Sequence, residues 1–212
     1  YGYFETIYKD KKHYNNKGIF LVLDRNGEVR KVIGEDKETI HNGRTVKNVL
    51  DINGTYEGDT SNKIINGVGK DGVVVAKENQ NKNIENSIVN GFKNAIKVKK
   101  NGLVKISNST INANGFGKSY AILGDEGANE VEITNKSIIN GKIDLGAGDD
   151  RLTLSGNYRL NREVDLGTGN NTLAFGKKEN ATRVIAEISN VIRNCMSQNY
   201  TGGRQISHYL DI

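Results

Sequence analysis

The sequence predicts an all-β protein built as a right-handed parallel β-helix, a solenoid with an N-terminal β-hairpin segment and a short C-terminal helix as its cap. Three observations lead there. First, an Asn closes a strand-like run five times, at Ile64-Ile65-Asn66, Ile88-Val89-Asn90, Thr110-Ile111-Asn112, Ile138-Ile139-Asn140 and Arg159-Leu160-Asn161. These Asn residues lie 24, 22, 28 and 21 positions apart, the mark of a coiled stack whose turns differ in length. Second, residues 137–146 (SIINGKIDLG) align without a gap on residues 158–167 (YRLNREVDLG), and the match continues through GAGDDRLTLSG against GTGNNTLAFG with one residue missing. Third, only 35% of the 212 residues are hydrophobic and 7% aromatic, too little for one large compact core. A solenoid needs less, because neighbouring coils exclude water from a few inward aliphatic residues each.

Residues 1–17 are aromatic and charged without a clear period. Residues 18–24 (GIFLVLD) form a strand, and Arg25-Asn26-Gly27 followed by residues 28–33 (EVRKVI) completes a hairpin, since Asn-Gly tolerates the positive φ values of a tight type I′ turn. Two more short strands are expected near 45–49 and 49–53, so residues 1–59 read as a β-rich segment capping the stack. Coils occupy residues 60–180. Each has its Asn-terminated strand, then a second strand (72–76, 95–98, 120–123, 143–145, 164–166) and a third (around Ile84 and Ile106, then 131–133, 152–154, 173–175). At about 4.8 Å per coil, five coils make a rod on the order of 24 Å long.

Val184, Ile185, Ile188, Val191 and Ile192 have the spacing of one helical face. A helix over 181–195 is therefore expected to cover the open end of the stack, with a strand through 183–189 as the alternative. From Met196 the repeat grammar vanishes, and residues 196–212 read as a terminal cap, a disordered end or a foreign tail. The chain begins with Tyr and shows no signal peptide, so a piece of a longer protein is expected.

The 25 Gly and the abundant Asn supply turns. The absence of Pro fits fully paired strands, and fits an AT-rich gene equally well. The formal charge of +5 comes from 30 basic and 25 acidic residues mixed along the chain, which makes no phosphate-binding stripe. The densest basic group, Lys93, Lys97, Lys99, Lys100 and Lys105, reads as outward side chains of solvated strands, and nucleic acid is not an expected partner. No apolar run is long enough for a membrane-spanning helix. Cys195 stands alone, without a disulfide partner or a second thiolate for a metal. His13, His41 and His208 lie outside the coils and lack metal-ligand spacing. Gly117-Lys118-Ser119 imitates the end of a phosphate-binding loop, but the Gly required five positions earlier is Asn112. No G-x-S-x-G element occurs, and no catalytic residue is assigned.

Two sets of residues stand out as candidate sites. Asn66, Asn90, Asn112, Asn140 and Asn161, at matching places in successive coils, are expected to stack as an amide ladder, a structural role. GAGDDRL and GTGNNTL partly resemble the calcium-binding nonapeptide of RTX proteins, which makes Asp149 and Asp150 candidate Ca²⁺ ligands. Leu145 and Leu166 replace the first Gly of that nonapeptide, and the second copy offers only Asn170 and Asn171, so a turn built for backbone reasons is the competing reading. No other cofactor is expected. Asp144 and Asp165 share one outward place, where stacked like charges about 5 Å apart call for a cation, Lys142 or Arg162, between them. Paired acids also describe polysaccharide-cleaving enzymes, but no aromatic platform or Arg cluster accompanies these two, and the structural reading is preferred.

IDLGAGDDRLTLSG, repeated as VDLGTGNNTLAFG, resembles the strand-turn-strand unit of passenger domains of bacterial autotransporters, the type V secreted proteins. The resemblance covers residues 60–176 and is closest over 133–176. It implies a β-helical stalk secreted from, or displayed on, a Gram-negative bacterium, with an outer-membrane barrel elsewhere in the parent chain. The expected function is non-catalytic display, possible adhesion being directed at a host surface protein or glycan through the longest insertion, residues 113–130. The alternatives are the accessory region of a subtilisin-like autotransporter protease, a carbohydrate-active β-helix enzyme and a calcium-dependent module.

Overall fold

The computed structural model describes residues 20–23, 25–26, 29–33, 38–51, 54–115 and 117–175. The helix expected over 181–195 and the tail 196–212 lie outside the described residues. Strands β1 (Phe20–Leu23) and β2 (Val29–Ile33) pair antiparallel, Phe20 opposite Ile33, as the hairpin reading expects.

Next come β3 (Glu38–His41) and β4 (Arg44–Asp51), antiparallel and joined by Asn42 and Gly43 at φ 50° and 77°. Two consecutive left-handed residues are what a type I′ turn requires. The two short strands expected near 45–49 and 49–53 are thus one strand, and its partner β3 was not foreseen. With Ile40 as its one aliphatic residue, Glu38–His41 carries almost no hydrophobic signal.

Five coils follow. They comprise β5 (Lys63–Gly67), β6 (Asp71–Ala76) and β7 (Lys82–Glu85); β8 (Ile88–Asn90), β9 (Asn94–Lys99) and β10 (Leu103–Ser107); and β11 (Thr110–Asn112), β12 (Tyr120–Asp125) and β13 (Glu130–Thr134). The last two are β14 (Ile138–Asn140), β15 (Lys142–Gly146) and β16 (Arg151–Leu154), then β17 (Arg159–Leu160), β18 (Val164–Asp165) and β19 (Thr172–Phe175). Each strand pairs in parallel with its counterpart one coil away, giving three sheets ordered β17-β14-β11-β8-β5-β4-β3, β18-β15-β12-β9-β6 and β19-β16-β13-β10-β7. The molecule is a parallel β-solenoid, with strands where the repeat places them.

Register turns the alternation of each short strand into columns of like side chains. Ile65, Val89, Ile111, Ile139 and Leu160 stack in the first sheet. Val73, Ile96, Ile122, Ile143 and Val164 stack in the second, and Ile84, Ile106, Ile133 and Leu154 in the third. All but Leu160, which packs against the core from its edge, are at most 1% exposed. Burial of each such side chain stabilises by about 1.5–3 kcal/mol. Phe92 fills the wider space at the first corner, where a Cβ on Gly72 would lie 2.4 Å from its ring and one on Gly67 would also collide with it.

The lower end of the stack is closed by residues 54–61. Tyr56 N donates to Gly72 O (2.8 Å), Thr55 Oγ1 to Asp71 O (2.9 Å) and Thr60 Oγ1 to Asn83 O (2.6 Å), covering the edges of β6 and β7. β4 continues the first sheet beneath β5, and antiparallel β3 ends it.

Between the third strand of one coil and the first of the next, Asn62, Asn86, Asn108 and Asn135 adopt φ of 54°, 47°, 48° and 37°. Asn tolerates this left-handed bend better than other residues with a side chain. Just past these bends runs a hydroxyl ladder, in which Lys63 N donates to Ser87 Oγ (3.1 Å), Ser87 N to Ser109 Oγ (3.0 Å) and Ser109 N to Ser137 Oγ (3.4 Å).

Phe92→Ala is expected to lower unfolding free energy by about 3–5 kcal/mol in urea titration, because the gap it leaves is lined by glycines that cannot fill it.

Candidate contact site at the interrupted turn

The five ladder Asn residues are linked end to end. Asn66 Nδ2 donates to Val49 O (3.2 Å), Asn90 Nδ2 to Asn66 Oδ1 (3.2 Å) and Asn112 Nδ2 to Asn90 Oδ1 (2.8 Å). Asn140 Nδ2 then donates to Asn112 Oδ1 (2.8 Å) and Asn161 Nδ2 to Asn140 Oδ1 (2.6 Å). Asn90, Asn112 and Asn140 each use the donor on one neighbour and the carbonyl on the other, so these side chains serve the stack.

The ladder marks the corner where the chain leaves the first sheet. The connection there is residues 68–70 in the first coil, 91–93 in the second, Gly141 alone in the fourth and 161–163 in the fifth, but residues 113–119 in the third. The insertion expected over 113–130 is therefore narrower. Tyr120–Asp125 is β12, paired on both sides, and Glu130 opens β13. What is left of it at this corner, among the described residues, is 113–115 and 117–119.

Ala113 N donates to Asn140 O (3.0 Å) and Asn114 N to Phe92 O (3.1 Å), fastening the turn at its base, while Gly115 N donates to Ser119 Oγ (3.1 Å). Between this turn and the next two coils lies a cleft of about 480 Å³, lined by Lys118, Ser119, Tyr120, Lys142, Asn161 and Arg162 among others. Gly141 is part of its lining, and a Cβ there would sit 2.7 Å from Ala113 Cβ and 2.9 Å from Ala121 N. One carboxylate, Glu163, serves two of the cations: its Oε2 is 3.3 Å from Lys142 Nζ and its Oε1 is 3.7 Å from Arg162 Nη2. Both cationic side chains remain about half exposed, at 46% and 56%. Such pairs exchange readily with an incoming anion, because exposed ion pairs contribute only about 0–1 kcal/mol.

Lys142 and Arg162, the side chains expected between Asp144 and Asp165, both reach Glu163. Those two acids do pair in register, and each accepts a backbone N–H two residues along: Gly146 N to Asp144 Oδ1 (3.0 Å) and Gly167 N to Asp165 Oδ1 (2.8 Å). Burial first, then the charge of Asp165, push the Asp144 carboxyl above the usual range, against the Gly146 N–H and the positive Lys97. Lys97, two coils away in the same sheet, donates from Nζ to Gly124 O (2.7 Å).

Asp149 and Asp150 are split between two environments. Asp149 is exposed and accepts from Asn170 N at Oδ1 (2.8 Å). Asp150 is 1% exposed and accepts from Asn129 N at Oδ1 (2.8 Å). Burial, reinforced by Asp125, Asp149 and Asp144, pushes its carboxyl up to about 8 against the Asn129 N–H. Among the described residues no group of three or more His, Cys, Asp or Glu converges to hold a metal ion. Sequence reasoning missed the buried column Asn129, Asp150 and Asn171, whose signal is an Asn or Asp before the third strand at a 21-residue interval.

The chain matches no family model, and no curated protein or solved structure matches it. The parallel β-solenoid is the level at which it is identified.

Asn112→Ala removes a donor from Asn90 and an acceptor from Asn140, and should cost about 1–3 kcal/mol in urea unfolding. Asn161→Ala, at the ladder's upper end, should cost less. Gly141→Ala should displace the 113–119 turn; hydrogen exchange at Ala113 N is expected to quicken while the amides of β9 and β10 keep their protection.

Proposed function

We propose that this chain is a non-catalytic stalk and display segment of an autotransporter-type passenger, secreted from or held on the surface of a Gram-negative bacterium, and that it contacts an anionic glycan through the 113–119 turn. The observation that carries the reading is the one long connection at a corner that the other coils cross in one to three residues, opened into a cleft that carries Lys118, Lys142 and Arg162. A guanidinium and two ammonium groups suit a carboxylate or sulfate, the former as a flat bidentate donor. Ser119 and Asn161 add neutral hydrogen-bonding groups, and Tyr120 offers an amphipathic face to a sugar ring.

Support for the stalk comes from the use made of the remaining polar residues. The Asn ladder binds itself, and the Oδ1 atoms of Asp144 and Asp165 are engaged by turn N–H groups, which favours a structural role over paired acid and base work. Support for export comes from the likeness of IDLGAGDDRLTLSG and VDLGTGNNTLAFG to autotransporter passenger units.

Heparin, as a sulfated probe, is expected to bind at physiological ionic strength, and Lys118→Ala/Lys142→Ala/Arg162→Ala to weaken binding on the order of tenfold. Equal binding by the triple variant would remove the cleft from the proposal. An antibody to this chain should label intact producing cells; labelling only after permeabilisation counts against display.

A further inference from the structure

We infer that Asp150 is a buried proton-binding site, a neutral carboxylic acid whose Oδ2–H donates to the Gly146 carbonyl and ties the turn between β15 and β16 to the stack. The neighbouring coils supply the comparison. Asn129, Asp150 and Asn171 each precede the third strand of their coil, and the residues behind them are in register, Glu130 with Arg151 and Arg151 with Thr172. All three are at most 1% exposed. Asp150 and Asn171 each accept at Oδ1 from the backbone N–H of their counterpart one coil earlier, at 2.8 Å from Asn129 N and 2.9 Å from Asp150 N.

The second terminal atom reaches back to the residue four positions earlier. Asn171 Nδ2 donates to Gly167 O (2.8 Å), and Asn129 Nδ2 to Asp125 Oδ1 (2.8 Å). For Asp150 that residue is Gly146, the twin of Gly167: their φ values are 81° and 79°, and each donates its N–H to the Asp two residues before it. Asp150 Oδ2 thus stands where both neighbours carry a donor. It is buried and has no hydrogen-bond partner. Ionised, it would set an acceptor against a carbonyl oxygen, at the cost of an unsatisfied buried charge. A proton converts it into the donor that the position requires.

The surroundings favour that proton. Asp125 at the end of β12, Asp144 on β15 and Asp149 in the same turn all bring negative charge towards Asp150, and its counterparts in the adjoining coils are the neutral Asn129 and Asn171. The cations of this corner act on the other acids, Lys97 on Asp125 and Asp144 and Lys100 on Asp125. The carboxyl is accordingly raised from 3.8 to about 8, chiefly by burial. A folded-state value above the unfolded one means that the folded chain holds the proton more tightly. The stabilisation is complete below about pH 4, is lost progressively as pH rises, and is gone above about pH 8.

The decisive experiment follows the Asp150 side-chain carboxyl carbon by NMR from acid to alkaline pH in the intact chain, with Asp149→Asn as a control. A midpoint near 8 is expected, and one near the ordinary aspartate value overturns the inference. In parallel, the Tm of Asp150→Asn should fall less than that of the native chain between about pH 5 and pH 9 and exceed it at the alkaline end. A Tm difference constant across pH contradicts the inference. So does a rise in the native Tm on adding Ca²⁺ at alkaline pH that Asp150→Asn lacks, which would make this a cation site. If the variant does not fold, the NMR midpoint in the native chain decides alone.

Discussion

Parallel register between successive coils is the constraint on which the rest of this structure depends. Every strand of the five coils takes its backbone partners from the same strand one coil away, so each side chain is delivered onto its equivalent in the next coil. Inward positions become the aliphatic columns headed by Ile65, Val73 and Ile84, and corner positions become the Asn ladder. A slip of one residue in any sheet would turn its column outward, a penalty shared by every coil. Because the three sheets are joined by short corners, the register of one restrains the other two. Extra residues are therefore tolerated only where they leave all three strands in place, and the 113–119 turn does so.

Much of this was legible in the residues, for a physical reason. Short strands with period-two burial, repeated at nearly fixed intervals, leave the same mark five times, and the repetition compensates for how weak each mark is alone. The Asn ladder was legible because its members follow an aliphatic pair. The left-handed corner at Asn62, Asn86, Asn108 and Asn135 was not, since its neighbours are polar and a lone Asn between polar residues is common in any loop. The β3 strand escaped for the same reason.

The candidate sites divide similarly. Asp149 and Asp150 are adjacent in sequence and equivalent in composition, yet one faces solvent and the other the interior. Only the pairing of β16 with β13 and β19 shows which is which, and therefore which carboxyl is buried among hydrogen-bonding backbone groups. The insertion was visible as a long interval, and the strand expected over 120–123 already fell inside it; the pairing of Tyr120–Asp125 on both sides is what separates the turn at 113–119 from the rest. The Asn ladder thus serves the stack, and the cations around Glu163 belong to the interruption.

The most direct measurement is a set of spin-label distances along one outward column of the third sheet, where Asn83, Lys105, Glu132 and Thr153 are successive partners. With one label at Asn83 and the second moved through Lys105, Glu132 and Thr153, the mean separation should grow by about 4.8 Å per coil crossed, to about 14 Å at Thr153. Narrow distributions with that constant increment are the predicted result. Separations that follow the number of intervening residues, or that fail to increase from coil to coil, would contradict the stacked register itself.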